Sequence, residues 1–508
     1  MSCPAPLSIT DLFDPAADVL AEVSDHLYGQ LLAWLLIAVG IWFTVRTRGL
    51  QFRLFGQMLR AIAGSRAGGE GISSFQAFTI GLASRVGTGN IVGVALAIIL
   101  GGPGAVFWMW LVALLGTATA FTEATLGQLF KVDRGDGTYR GGPAYYIARG
   151  LRLPALGGVF AVLFMIANGL AMPMVQANAM TAALGDSAGL SPWWGAAIVV
   201  VLVAPVLLGG LRSIARVTEW MAPAMAVVYL LLVATIIALH PAQAVAAVGD
   251  IVAGALSLRA GLAGTAGGVA MAVLNGVRRG LFSNEAGLGG AACASGSATV
   301  AHPAQQGFIQ AFGVLVDTIL VCTATALAIL IAGRIDGAVY TPGATGAYDA
   351  DISGTLTQDA IASILGHWTA WPMTILIMVL AYSTILGAFS YAEVCLDYLT
   401  RAPAATRALR AAAVVCAFVG GGAALTTVWT LADVLLGVGA LINLVALVLL
   451  SRWARGVLRD WEAQRAEAAA GTRAANAIRF VARDNPHLPG PLPGDVWDAG
   501  APSGTIPR

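Results

Sequence analysis

The segment FQAFTIGLASRVGTGNIVGVALAIIL, residues 75–100, is apolar over a membrane-crossing length yet holds Arg85, Gly87, Thr88, Gly89 and Asn90 at its middle. Two glycines around a threonine, followed by an asparagine, weaken a helix at that point and free backbone groups that lipid cannot satisfy. The chemistry such a break supports is recognition rather than bond making. Amide N–H groups opening the second half-helix favour an anion such as a carboxylate, and carbonyls closing the first half favour a cation. The glycines alone would also suit close helix packing, but packing explains neither Asn90 nor an arginine at the same depth. Arg85 in hydrocarbon requires a carboxylate partner, and Asp317 and Glu123 are the two at similar depth. A second polar interruption lies in LAGTAGGVAMAVLNGVRRGLFSNEAGLGGAACA, with its break expected between Arg278 and Gly289.

Catalytic chemistry finds no comparable constellation. His26, His240, His302, His367 and His487 fall in loops, tails or span ends, with no ligand spacing among them. Cys293, Cys322, Cys395 and Cys416 lie in or beside apolar spans and Cys3 is terminal, so neither a disulfide framework nor a metal motif emerges. A membrane-embedded enzyme would need a nucleophile with its base, or a metal, inside the bilayer. A channel would show rings of carbonyls or charges. Two breaks in matching halves instead suit alternating access around one site. The net charge of +1 gives no reason to expect nucleic acid or another acidic partner, and no enzymatic cofactor is expected.

The elements that must position these residues are membrane helices. With 58% hydrophobic and 11% charged residues and a mean hydropathy of +0.79, the chain reads as all-α and polytopic, embedded in a lipid bilayer. Eleven spans are expected near 28–46, 75–100, 104–129, 155–181, 193–211, 219–239, 264–298, 308–333, 368–398, 406–428 and 430–451. Leaving out the first, the two breaks open the first and sixth of ten helices, which predicts a five-plus-five inverted repeat with one additional N-terminal helix. Arginines follow the first, third and fifth spans (Arg46, Arg48, Arg53, Arg60 and Arg66, then Lys131 to Arg152, then Arg212 and Arg216), and Arg401, Arg407, Arg410 and the tail from Arg452 share that side. The alternate loops carry only Arg259 and Arg334, so the arginine-rich side is expected to be cytoplasmic and the N-terminus outside. The expected organisation is an outer segment 1–27, a transmembrane unit 28–451 and a cytoplasmic tail 452–508 whose PHLPGPLPGDVWDAGAPSGTIP stretch is unstructured. An acidic outer loop carries Asp336, Asp349, Asp351 and Asp359.

ASRVGTGNIVGVALAIILGGPGAVFWMW, FTEATLGQLF, GTYRGGPAYYIARGL, RRGLFSNEAGLGGA, VDTILVCTATAL and STILG…YAEVCLDYL occur in this order over roughly residues 30 to 450, and together they closely resemble the alanine or glycine:cation symporter family. The resemblance implies a LeuT-like fold, sodium-coupled uptake of small neutral amino acids such as alanine or glycine, and a multi-pass location in the bacterial plasma (inner) membrane. It places substrate near Thr88, Gly89 and Asn90, with Gln176 and Phe282 completing the pocket. By likeness to the broken first helix of LeuT-type transporters, it places sodium among the carbonyls of Ala83 and Val86 and the hydroxyls of Ser383 and Thr384. Such an oxygen cage suits a hard cation. One departure bears on specificity: where the family pattern commonly has a tryptophan after STILG, this chain has Ala388 and then Phe389. Either Phe389 swings in to replace the lost bulk or the pocket is larger, so a carrier for a larger neutral amino acid such as glutamine stays open, and proton in place of sodium coupling stays open independently.

Overall fold

The computed structural model describes residues 14–65, 71–135, 137–256, 267–337, 339–340, 355–422, 426–472, 474 and 478–498. Cys3, Arg66, Arg259, Asp349 and Asp351 lie outside the described residues. Helices dominate, and among the described residues the one small sheet is a hairpin of β1 (Val132–Asp133) and β2 (Tyr139–Arg140), antiparallel. Among the described residues, nine helices are long and apolar enough to cross a membrane, and one further pair passes the same test across a 49° bend.

The first crossing runs through α1 (Asp14–His26) and α2 (Ala33–Arg46), joined by a π-helical turn over Leu27–Leu32. Its apolar helix begins at Val19, earlier than the sequence pattern suggests, because a single acidic turn does not interrupt backbone hydrogen bonding. Short helices α3 (Leu50–Arg53) and α4 (Phe55–Ala63) follow at the arginine-rich end. The bent pair is α5 (Ser74–Arg85) and a segment that restarts at Gly89 and continues as α6 (Val94–Gly101). The first half is completed by α7 (Gly104–Leu129), then the short α8 (Pro143–Gly150), the span of α9 (Pro154–Ile166) with α10 (Met172–Ala188), α11 (Pro192–Gly209) and α12 (Leu211–Leu239). A short apolar helix, α13 (Pro241–Leu256), joins the halves and was not foreseen.

The second half opens on α14 (Gly267–Asn284) and α15 (Gly290–Gly296), interrupted at residues 285–289. It continues through α16 (Pro303–Val314) and α17 (Thr323–Ile335), which form one crossing, the unforeseen α18 (Leu356–Leu365), α19 (Ala370–Leu399), α20 (Pro403–Gly422) and α21 (Thr426–Leu449). A final helix, α22 (Ser451–Ala469), is polar and lies beyond the last crossing. Removing the first crossing leaves five spans in each half, and each half begins with a broken helix.

Packing places both breaks at the centre. Helix α5 lies against α12 and α19, while α7 packs along α14, α15 and α16. Small residues permit the approach: a Cβ on Gly387 of α19 would press on Ser84 at 2.5 Å from its backbone nitrogen, and one on Gly127 of α7 would meet the Ala292 carbonyl at 2.6 Å. The break between Arg278 and Gly289 falls at the late end of that range, so Arg278 and Arg279 sit on uninterrupted helix. Arg278 pairs with Asp433 at 2.9 Å and with Asp25 at 3.1 Å, and Arg279 lies 4.0 Å from Asp433.

Residues 478–498, of which those from Pro486 onward are the described part of the stretch expected to be unstructured, follow an irregular but docked path. Trp497 is buried and its indole N–H donates to the Gln128 carbonyl at 3.1 Å, while the Phe480 amide donates to Ala301. Aromatic side chains in a proline-rich stretch supply apolar area that composition alone conceals.

Candidate functional site

Helix α5 starts on a reciprocal cap. The Gln76 amide donates to Ser73 Oγ at 3.1 Å and the Ser73 amide donates to Gln76 Oε1 at 3.0 Å. The helix stops where Val86 turns extended, at φ −80° and ψ 91°. Asn90 spans the gap: its Oδ1 accepts the Gly87 N–H at 2.8 Å. The glycines answer close neighbours, since a Cβ on Gly87 would collide with Thr384 Oγ1 and one on Gly89 would sit 3.2 Å from the Phe282 ring. At the second break Glu285 adopts φ 54°, and Gly287 and Gly289 are also left-handed, at 92° and 117°. A non-glycine residue held in that region is strained and is kept there by its surroundings. Ser84 Oγ donates to Glu285 Oε1 at 2.6 Å and the Tyr391 hydroxyl donates to Oε2 at 3.3 Å.

The five residues assigned to substrate lie together. Thr88 Oγ1 donates to Gln176 Oε1 of α10 at 2.9 Å, Gly89 faces Phe282 of α14, and Asn90 reaches the next residue, Ser283 Oγ, at 3.0 Å. Phe282 is partly buried and its ring lies 5.9 Å from that of Trp429 on α21. Of the four residues assigned to the cation, Ala83, Ser383 and Thr384 adjoin, and Val86 lies at the end of α5 where the helix stops. Ser383 and Thr384 hydroxyls lie 3.3 and 3.1 Å from the Ala83 carbonyl, and both also reach the Leu380 carbonyl, at 2.7 and 3.2 Å. A hydroxyl that donates to its own helix keeps its lone pairs for a cation between α19 and the end of α5. With the Ala83 carbonyl these hydroxyls form a cluster of oxygen donors, the chemistry a hard cation favours.

Sequence reasoning missed a polar knot beside these sites. Asn90 Nδ2 donates to Asp317 Oδ1 at 2.6 Å and lies 3.2 Å from Cys322 Sγ. Ser283 and Thr318 hydroxyls donate to Asp317 Oδ2 at 2.6 and 2.8 Å. The available signal was a mid-span aspartate followed by threonine, which in a membrane helix points to function by default.

The expected pairing of Arg85 with Asp317 or Glu123 is not found. Asp317 is occupied as described, and Glu123 accepts from the Gly287 amide at 2.9 Å and from Asn443 Nδ2 at 3.4 Å. Arg85 is buried, donates from Nη1 to the Gln310 carbonyl at 3.2 Å, and its Nε and Nη2 have no partner among the described residues. It lies within electrostatic range of Glu123, Glu285 and Asp317 without contacting them. The carboxylates satisfy backbone and side-chain donors at the second break first, and Arg85 balances their charge from a distance.

Two interrupted helices facing each other at the centre of a membrane-helix bundle are the arrangement of a secondary carrier. The fold is shared with a mutant manganese transporter from Eremococcus coleocola, at a TM-score of 0.50 and 17% identity, covering 79% of this chain and 81% of that one. The sodium:alanine symporter family model matches residues 14–475, and the chain belongs to that family. It is 38% identical over 446 residues to the amino-acid carrier protein AlsT of Bacillus subtilis, covering 88% of this chain and 92% of that protein. It is 37% identical to the probable sodium/glutamine symporter GlnT of the same organism, over 88% of this chain and 91% of that one. It is also 37% identical to the sodium/alanine symporter AgcS of Methanococcus maripaludis, over 84% and 93%.

Proposed function

We propose that the protein carries a small neutral amino acid, such as alanine or glycine, together with sodium into the cell across a bacterial plasma membrane. The observation that carries this reading is the adjacency of two sites at the first break. Thr88, Gly89 and Asn90 lie with Gln176 and Phe282, one turn from the cluster of the Ala83 carbonyl with the Ser383 and Thr384 hydroxyls, to which this reading adds the Val86 carbonyl. An amino acid's carboxylate suits the amide-rich start of the second half-helix. Its ammonium suits oxygen acceptors such as Gln176 Oε1, and a short side chain fits against Phe282. Moving the ion and the amino acid in one occluded step couples one gradient to the other. In this reading the arginine-rich end faces the cytoplasm, the residues before the first crossing at Val19 lie outside, the crossings up to residue 451 form the transporter and residues 452–508 form a cytoplasmic tail.

A larger substrate such as glutamine is the second reading, favoured by the small Ala388 and by the name of one relative. Protons are the alternative coupling ion, since Glu123, Glu285 and Asp317 are buried near Arg85 and none of them forms an ion pair with it among the described residues. Uptake of labelled L- and D-amino acids into proteoliposomes, under a sodium gradient and separately under a proton gradient, tests these together. Uptake of alanine or glycine only with sodium is expected. Equal uptake under a proton gradient alone would give the wrong ion, and a preference for glutamine would give the wrong side chain.

A further inference from the structure

At the arginine-rich end, where α2 leaves the membrane, a cleft of about 300 Å³ is lined by Arg46, Arg48, Arg53, Arg455 and Arg459 and by one acid, Glu462. That acid is already committed, since Arg53 Nη1 pairs with it at 2.6 Å. Arg46 stacks over the Trp42 ring at 4.9 Å, and the side chains of Arg48, Arg455 and Arg459 have no ion pair or hydrogen bond among the described residues. Like charges crowd here: Arg455 is less basic than an ordinary arginine, chiefly through desolvation and then through Arg459, Arg46, Arg452 and Arg48. Guanidinium groups held together without counter-charge are stable when an anion neutralises them.

The surroundings indicate what kind of anion. The same segment exposes Trp42, Val45, Phe52, Phe55 and Leu59, with Phe52 70% exposed. Large apolar side chains beside arginines at the end of a crossing helix fit the acyl and headgroup boundary of a membrane. We infer that this cleft, formed by the end of α2, α3 and α22, binds the phosphodiester headgroup of an anionic phospholipid. Its forked donors take the phosphate oxygens, and the flanking aromatic and aliphatic residues take the adjoining acyl chains.

The test uses the full-length protein in detergent, read by native mass spectrometry with phosphatidylglycerol, with phosphatidylcholine, and with inorganic phosphate as competitor. Phosphatidylglycerol should be retained in preference to phosphatidylcholine, and the triple variant Arg48→Gln, Arg455→Gln, Arg459→Gln should lower its retention about tenfold. Arg407→Gln, an exposed position at the same end, should leave it unchanged. Equal retention of the two lipids, or no loss in the triple variant, would overturn the inference. Displacement of the lipid by millimolar inorganic phosphate would show a soluble anion site and overturn the lipid assignment. Should the triple variant fail to purify as a folded species, a photoactivatable phosphatidylglycerol on the wild type decides. Crosslinks confined to peptides spanning 42–59 and 452–462 support the site, and crosslinks only elsewhere refute it.

Discussion

Asn90 shows how far a single residue type can be read from sequence and where that reading stops. Its place in the break is evident from the surrounding glycines, but its partners are not. The side chain is fully buried, caps Gly87 through its oxygen, and holds Asp317 and Ser283 through its nitrogen. Asn90→Ala therefore removes more than a substrate contact, because a buried donor or acceptor left without its partner costs about 1–3 kcal/mol. Loss of uptake is expected together with a lowered Tm. Near-normal uptake affinity in a purified, folded mutant would remove Asn90 from the site. Thr384 is the cleaner probe of the cation. Thr384→Ala removes one hydroxyl lying 3.1 Å from the Ala83 carbonyl, and at about 1 kcal/mol per hydrogen-bond-strength contact the half-saturating sodium should rise roughly fivefold. Uptake at saturating sodium should change less. An unchanged sodium dependence in both Thr384→Ala and Ser383→Ala would place the ion on another helix face.

At the scale of an element, α19 separates what periodicity reveals from what it hides. Thr384, Gly387, Ala388 and Tyr391 share the face toward α5 and the second break, as their spacing predicts. Phe389 does not swing toward that face. It packs in a separate cluster with Ala177, Met180, Val199, Val203 and Leu207 of α10 and α11. Ala388→Trp is accordingly expected to narrow selectivity toward glycine and alanine, with the larger neutral amino acids excluded by overlap. Phe389→Ala should cost about 3–5 kcal/mol of stability and leave the ranking of substrates unchanged. Competition assays on both variants distinguish these outcomes, and a widened selectivity in Phe389→Ala would reverse the assignment. The breaks in α5 and α14 were legible because glycine and asparagine inside an apolar run violate what lipid permits. Helices α13 and α18 were not, since short segments between crossings obey no membrane-length rule. Glu285 was hidden for a different reason: its role depends on Ser84 and Tyr391, which lie far from it in sequence and meet it only through helix packing.

The whole molecule includes a tail that closes over the arginine-rich end, and its anchor is pH-sensitive by construction. His302, just before α16, accepts the Ala304 amide at Nδ1 at 3.1 Å, so the other nitrogen carries the ring proton and donates to Asp460 Oδ2 of α22 at 3.0 Å. Asp460 is further held by Gln464 at 2.8 Å and Asn485 at 3.2 Å. Protonating the imidazole puts a proton on Nδ1 and breaks the cap. Burial accordingly lowers the His302 pKa from its ordinary value, working against the attraction of Asp460, while Asp460 is itself held below the usual carboxylate range by His302, Asn485 and Gln464. Because the folded-state pKa of His302 is depressed, its contribution to docking is complete above the unfolded value of about 6.5 and is lost as pH falls toward the folded one. The Asp460 contribution disappears only at still lower pH. Hydrogen exchange of the Ala304 and Phe480 amides, corrected for the intrinsic rate, should therefore show weaker protection at about pH 5.5 than at about pH 7.5. His302→Asn supplies a capping oxygen with no titration in this range, so the variant should keep the protection and lose the pH dependence. If the same fall in protection persists in His302→Asn, the tail answers to another group and the histidine is only a cap.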